Sequence, residues 1–159
     1  MKVLAEKLGA RLKARGAMLV TAESCTGGWV AEAVTAIGGS SEWFERGFVT
    51  YSNAAKVEML GVSAETLARH GAVSEETARE MAAGALNNSR GSVALAITGV
   101  AGPTGGSPAK PVGTVCFAWA LQGRPVSAET RHFAGDRESV RRQSVEHALA
   151  RVVELLDAG

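Results

Sequence analysis

Long apolar runs are missing from this 159-residue sequence. No stretch approaches the ~20 apolar residues that span a bilayer. The N-terminus, MKVLAEKLGARLKARG, mixes charge with apolar residues and has no continuous apolar segment of the kind found in a secretory signal. Cysteine is scarce: Cys25 and Cys116 show no spacing that suggests a disulfide framework or a zinc site. His70, His132 and His147 are scattered without ligand spacing. A cytoplasmic protein is the plain expectation, with no membrane partner. An excess of one charge is missing too. Seventeen Lys plus Arg against sixteen Asp plus Glu leave a net charge of +1, which supplies no field for nucleic acid or an anionic surface. Aromatic residues make up only 5%, so the core must come mostly from Ala, Val, Leu and Ile.

What is present is an ordinary globular composition, 46% hydrophobic, in a chain of one-domain length. Leu4, Leu8 and Leu12 share one face of an expected helix over 2–15, closed by Gly16. A buried strand is expected at 17–22, a helix at 29–37, a second strand at 45–52 and short helices at 53–60 and 63–70. Ser74 caps a longer helix to about Asn87, with Glu75 and Glu76 in its first turn. SVALAIT (92–98) reads as another buried strand, and Gly99 to Pro111, with four glycines and three prolines, as a loop. TVCFAWAL and VSAETRHF form an expected antiparallel pair. Asp136 caps a last helix whose Val145, Leu149, Val152 and Leu156 share a face. Alternating strands and helices followed by a hairpin predict a single α/β domain spanning 1–159, a three-layer α/β/α sandwich with a mixed sheet. Homo-oligomerisation is left open.

Three segments have chemical potential. Thr21-Ala22-Glu23-Ser24-Cys25-Thr26-Gly27-Gly28 lies where a strand hands over to a helix. Such a turn exposes Ser24, and backbone N–H groups near Cys25 to Gly27 can hold an oxyanion. It also reads as a simple helix cap in a tight turn. Cys25 competes as a nucleophile, but no histidine pattern supports a Cys–His dyad. In Phe48–Lys56, a serine's required base is available in Lys56 if burial lowers its pKa. Tyr51 could relay a proton or fix that lysine. The plainer reading is a solvated lysine and a half-buried sheet tyrosine. In Ile97–Gly106, glycines after a strand let backbone approach a ligand, though neither a Walker loop nor a dinucleotide fingerprint is present. Arg137, Arg141 and Arg142 open the last helix and suit phosphate, or else form a solvated face paired with Glu138.

TAESCTGG, RGFVTYSNAAK, HGAVSEETAREMA, AITGVAGPTGG, KPVGTV and FAGDRESVRR occur in the order seen in the CinA C-terminal domain family, and the chain resembles that family from about residue 5 to 155. Stand-alone bacterial members are nicotinamide-nucleotide amidases. The resemblance implies an α/β/α fold and a serine amidase needing no metal or other cofactor. It implies the nucleophile at Ser24, the base at Lys56 and an assisting tyrosine at Tyr51. It places substrate contacts at Cys25, Thr26, Gly27, Gly28, Thr98, Gly99, Gly102 and Arg141. The implied substrate is nicotinamide mononucleotide and the product nicotinic acid mononucleotide, in pyridine nucleotide recycling. Longer members carry a preceding molybdopterin-binding-like domain, which this sequence lacks. Two other readings stand beside this one: a non-catalytic nucleotide-binding module, and a serine amidase acting on another small amide.

Overall fold

The computed structural model describes residues 1–159. Five strands, β1 (Leu19–Glu23), β2 (Phe44–Val49), β3 (Val93–Gly99), β4 (Thr114–Leu121) and β5 (Ser127–His132), form one sheet in the order β2-β1-β3-β4-β5. β2, β1 and β3 run parallel, and β4 and β5 complete the sheet antiparallel. The helices are α1 (Lys2–Ala14), α2 (Trp29–Thr35), α3 (Asn53–Leu60), α4 (Ala64–His70), α5 (Glu75–Asn87) and α6 (Arg137–Ala158). The α/β/α sandwich with a mixed sheet expected from the sequence is the architecture found.

Side-chain size segregates across the sheet, because alternate residues of a strand face opposite sides. Val93, Leu95, Ile97, Val115, Phe117 and Trp119 point to the face covered by α1, α2 and α6, where Leu8, Leu12, Val30, Val34, Val145, Leu149, Val152 and Leu156 meet them. The opposite positions are small: Ala94, Ala96, Ala118 and Ala120 pack against Ala78, Met81, Ala82 and Ala85 of α5. Small residues let α5 lie close to the sheet. At Gly84 the carbonyl oxygen of Leu60 sits 1.9 Å from where a Cβ would be, so α3 also packs tightly on α5.

The helix caps follow the sequence. The Ser74 hydroxyl accepts from Thr77 N–H and the Asp136 carboxylate from Ser139 N–H. All four apolar residues expected on one face of α6 are buried. Two elements end two or more residues short of expectation. α2 ends at Thr35, and a short 3-10 turn at Ser40–Glu42, with no clear sequence signal, follows. β2 stops at Val49 instead of 52, because Ser52 leaves the sheet to cap α3 by accepting from Ala55 N–H. No helix is long and apolar enough to cross a membrane.

Candidate active site

The topology fixes where a ligand can sit. β1 connects to β2 on one side and β3 proceeds to β4 on the other, so the chain diverges between the carboxyl ends of β1 and β3. Open α/β sheets bind ligands at such a point. The chain beyond each parallel strand converges there: Ser24 N–H donates to Ile97 O at 3.0 Å, and Thr50 N–H to Glu23 O at 2.9 Å.

Departure of the chain from β2 at Thr50 and entry into α3 at Asn53 bring Lys56 back beneath that edge. Its side chain is 1% exposed. Nζ lies 3.1 Å from Ser24 Oγ and donates to Thr50 O at 2.9 Å and Tyr51 O at 3.3 Å. Burial holds its pKa below the ordinary lysine value, because the charged form loses its hydration. The two carbonyls can only accept. A neutral amine has two N–H bonds, so satisfying both carbonyls leaves its lone pair facing Ser24.

The Ser24 turn is gripped from two sides. Gly27 N–H donates to Ser24 O at 3.0 Å, closing a β-turn, and Ser24 is 8% exposed. Glu23, 1% exposed, accepts from Thr26 Oγ1 at 2.7 Å, Val30 N–H at 2.8 Å and Ala31 N–H at 3.1 Å. Gly28 precedes α2 without a side chain to cap it, and the Glu23 carboxylate satisfies the second and third amides of the helix in its place. On the other side, Arg141 donates from Nε to Cys25 O at 3.0 Å and from Nη2 to Thr26 O at 3.1 Å, with its guanidinium 5.3 Å from the centre of the Trp29 ring. The Gly27 amide is used within the turn, whereas those of Cys25 and Thr26 donate to no other residue. The Cys25 thiol is buried, and loss of hydration pushes its pKa up to about 12. It is a thiol, not a thiolate, near neutral pH.

Beside Ser24 and Lys56 opens a cavity of about 320 Å³, near the lower end of small-ligand sites. Cys25, Tyr51, Thr98, Gly99 and Gly102 are among the residues that line it. Thr26, Gly27, Gly28 and Arg141 lie behind this lining. Tyr51 is 62% exposed, and its phenol oxygen meets Arg137 Nη2 at 3.3 Å; its carbonyl, not its hydroxyl, meets Lys56. Arg137 also donates to Gly102 O at 2.7 Å and is the arginine on the cavity wall. Arg137 and Arg141 stand one turn apart on α6, so one helix face reaches both the glycine loop and the Ser24 turn.

Sequence reasoning did not single out Glu23 or Asn53. Glu23 had a signal: an acidic residue closing an apolar strand, just before a helix whose cap position is glycine. Asn53, on the cavity wall at the start of α3, had none. A larger cavity of about 470 Å³, beyond Val73, contains His70, Glu76, Lys110 and His132 but neither Ser24 nor Lys56. No group of three or more His, Cys, Asp or Glu side chains is arranged to hold a metal ion.

A mixed five-stranded sheet between two helical layers, with a buried Ser–Lys pair at the carboxyl edge of its parallel strands, defines a distinct class of α/β domain. The chain belongs to the CinA C-terminal domain family, whose pattern matches residues 1–156. It is 59% identical over 146 residues to the nicotinamide-nucleotide amidohydrolase PncC of Escherichia coli K12, covering 92% of this chain and 88% of that one. It is 53% identical over 152 residues to the protein of the same name from Pseudomonas putida, covering 96% and 94%. The crystal structure of a CinA superfamily protein from Klebsiella pneumoniae superposes with a TM-score of 0.95 at 42% identity, covering 99% of this chain and 98% of that one.

Proposed function

We propose that this protein hydrolyses the carboxamide of nicotinamide mononucleotide to nicotinic acid mononucleotide and ammonia in the cytoplasm. The observation that carries the reading is the 3.1 Å approach of a buried Lys56 amine to Ser24 Oγ at the wall of a small-ligand cavity. The names of the Escherichia coli and Pseudomonas putida relatives support the substrate class.

The chemistry follows from the residue types. Neutral Lys56 takes the Ser24 proton as Oγ attacks the carboxamide carbon. The oxyanion that forms is met by the Cys25 amide at the cavity wall. The C–N bond then breaks, and the proton held on Lys56 passes to the departing nitrogen, which leaves as ammonia. Lys56, neutral again, deprotonates the water that cleaves the acyl-serine, and then returns that proton to Ser24 Oγ. Tyr51 assists through its carbonyl, which directs the amine. Its ring at the cavity rim gives the cationic pyridinium a π-face. Arg137 and the loop from Gly102 to Gly106 offer a cation and close backbone approach for the phosphate.

The experiment is ammonia release from purified protein given nicotinamide mononucleotide, nicotinamide riboside, nicotinamide and an unrelated small amide. Preference for the mononucleotide is expected. Turnover of the unrelated amide alone would transfer the reading to another amidase. Binding of the mononucleotide without ammonia release would mark a non-catalytic nucleotide module.

A further inference from the structure

The Arg141 guanidinium spans two consecutive main-chain carbonyls beside the Ser24 nucleophile. We infer that Arg141 is a positioning residue that aims the oxyanion donor, the amide of Cys25, by holding the carbonyls of Cys25 and Thr26. The inference rests on the serine-amidase reading above.

The argument is one of peptide geometry. In a trans peptide the C=O and N–H point in opposite directions. The Cys25 carbonyl shares its peptide with the Thr26 amide, so fixing that oxygen on Nε turns the Thr26 N–H away from α6. The Thr26 carbonyl shares its peptide with the Gly27 amide, which closes the turn onto Ser24 O. The Ser24 carbonyl in turn shares its peptide with the Cys25 amide. One guanidinium therefore holds the turn from behind and reaches the Cys25 donor through the turn bond.

The central peptide of a β-turn is the one most able to flip, and flipping would require a left-handed Thr26. No residue other than glycine has positive φ, and a β-branched threonine resists it. Arg141 adds a second lock at the same peptide. Its own place is fixed by the Trp29 ring and by its position one turn beyond Arg137. Arg141 does not line the cavity, which separates it from a substrate ligand.

The test compares Arg141→Lys and Arg141→Ala with wild type on nicotinamide mononucleotide and on the riboside. Removing an oxyanion donor costs roughly a hundredfold or more in kcat. A fall of about that size is expected, equal for both substrates, with affinity for nicotinic acid mononucleotide unchanged. Inhibition by an aryl boronic acid, which forms a tetrahedral adduct on serine, should weaken in parallel with kcat, and guanidinium ion should restore turnover to Arg141→Ala. Should both variants fail to fold, amide NMR of the wild type decides: boronate binding should shift the Cys25 amide proton downfield. An unshifted Cys25 amide, a loss confined to the mononucleotide, or wild-type kcat in a folded variant would each overturn the inference. A wild type inactive on every amide would instead overturn the reading beneath it.

Discussion

Lys56 Nζ stands 3.1 Å from Ser24 Oγ across 32 positions of sequence, and both of its remaining contacts are main-chain carbonyls. An amine so placed can take a proton from one direction only. α3 carries the lysine, and the turn after β1 carries the serine.

Ser24→Ala is expected to abolish ammonia release while unfolding within about 1 kcal/mol of wild type, since it removes one hydroxyl at a turn. Lys56→Arg keeps the charge but accepts no proton near neutral pH, and should be almost inactive. Turnover assays beside thermal unfolding check both. Wild-type turnover in folded Lys56→Arg would reduce the lysine to an electrostatic role.

The lowered pKa of Lys56 gives two dependences on pH. The proposed mechanism uses Lys56 as the neutral amine, so kcat/KM should rise with pH along an acid limb whose midpoint lies below the ordinary lysine value. Between that midpoint and the unfolded pKa, the unfolded chain binds more protons than the folded one. Stability contributed by this group therefore rises with pH through that window and is lost as pH falls through the folded pKa. Denaturant titrations of wild type and Lys56→Met across that range should diverge in this direction.

Cys25 is next to Ser24, yet its thiol is held protonated by burial. Cys25→Ala should keep turnover within a few-fold, at a cost of roughly 1 kcal/mol from the lost apolar contact. Thiol alkylation of the native protein at neutral pH should be slow and should become fast on unfolding. Loss of turnover on stoichiometric alkylation of the folded protein, together with an inactive Cys25→Ala, would bring the thiol forward as the nucleophile.

Arg137 is the cavity's arginine, and a charge-assisted contact is worth about 1.5–3 kcal/mol. Arg137→Gln should lower kcat/KM for the mononucleotide roughly tenfold to a hundredfold and change the riboside much less. Both constants need measuring, because remote binding energy can surface in kcat. Equal losses on the two substrates would deny Arg137 the phosphate.

Much of this was legible in residue order. Apolar periodicity gave α6, serine and aspartate caps gave the starts of α5 and α6, and glycines after β3 marked the loop that walls the cavity. The Ser24 turn was legible from its position between a strand and a helix. What escaped depended on contacts between distant segments. Both Arg137 and Arg141 stand in one basic run, and nothing in their spacing says that one meets a glycine loop and the other two carbonyls 115 or more positions away. The end of β2 was misjudged because β-forming Thr50 and Tyr51 look like strand, whereas the cap at Ser52 draws the chain out of the sheet. The tyrosine drew attention by its hydroxyl, and its carbonyl is what touches the lysine.

That last contact has a consequence for how the protein can vary. Thr50 and Tyr51 hold Lys56 with atoms that every amino acid possesses, so the place of its amine is written in the path of the main chain. Side chains at these two positions are thereby released from that task. The Thr50 hydroxyl, buried without a hydrogen-bond partner, adds nothing to it. The rim of the cavity can be re-lettered at position 51 while the Ser24–Lys56 contact beneath it stays in place, so the shape of the rim and the geometry of that contact can drift independently in this fold.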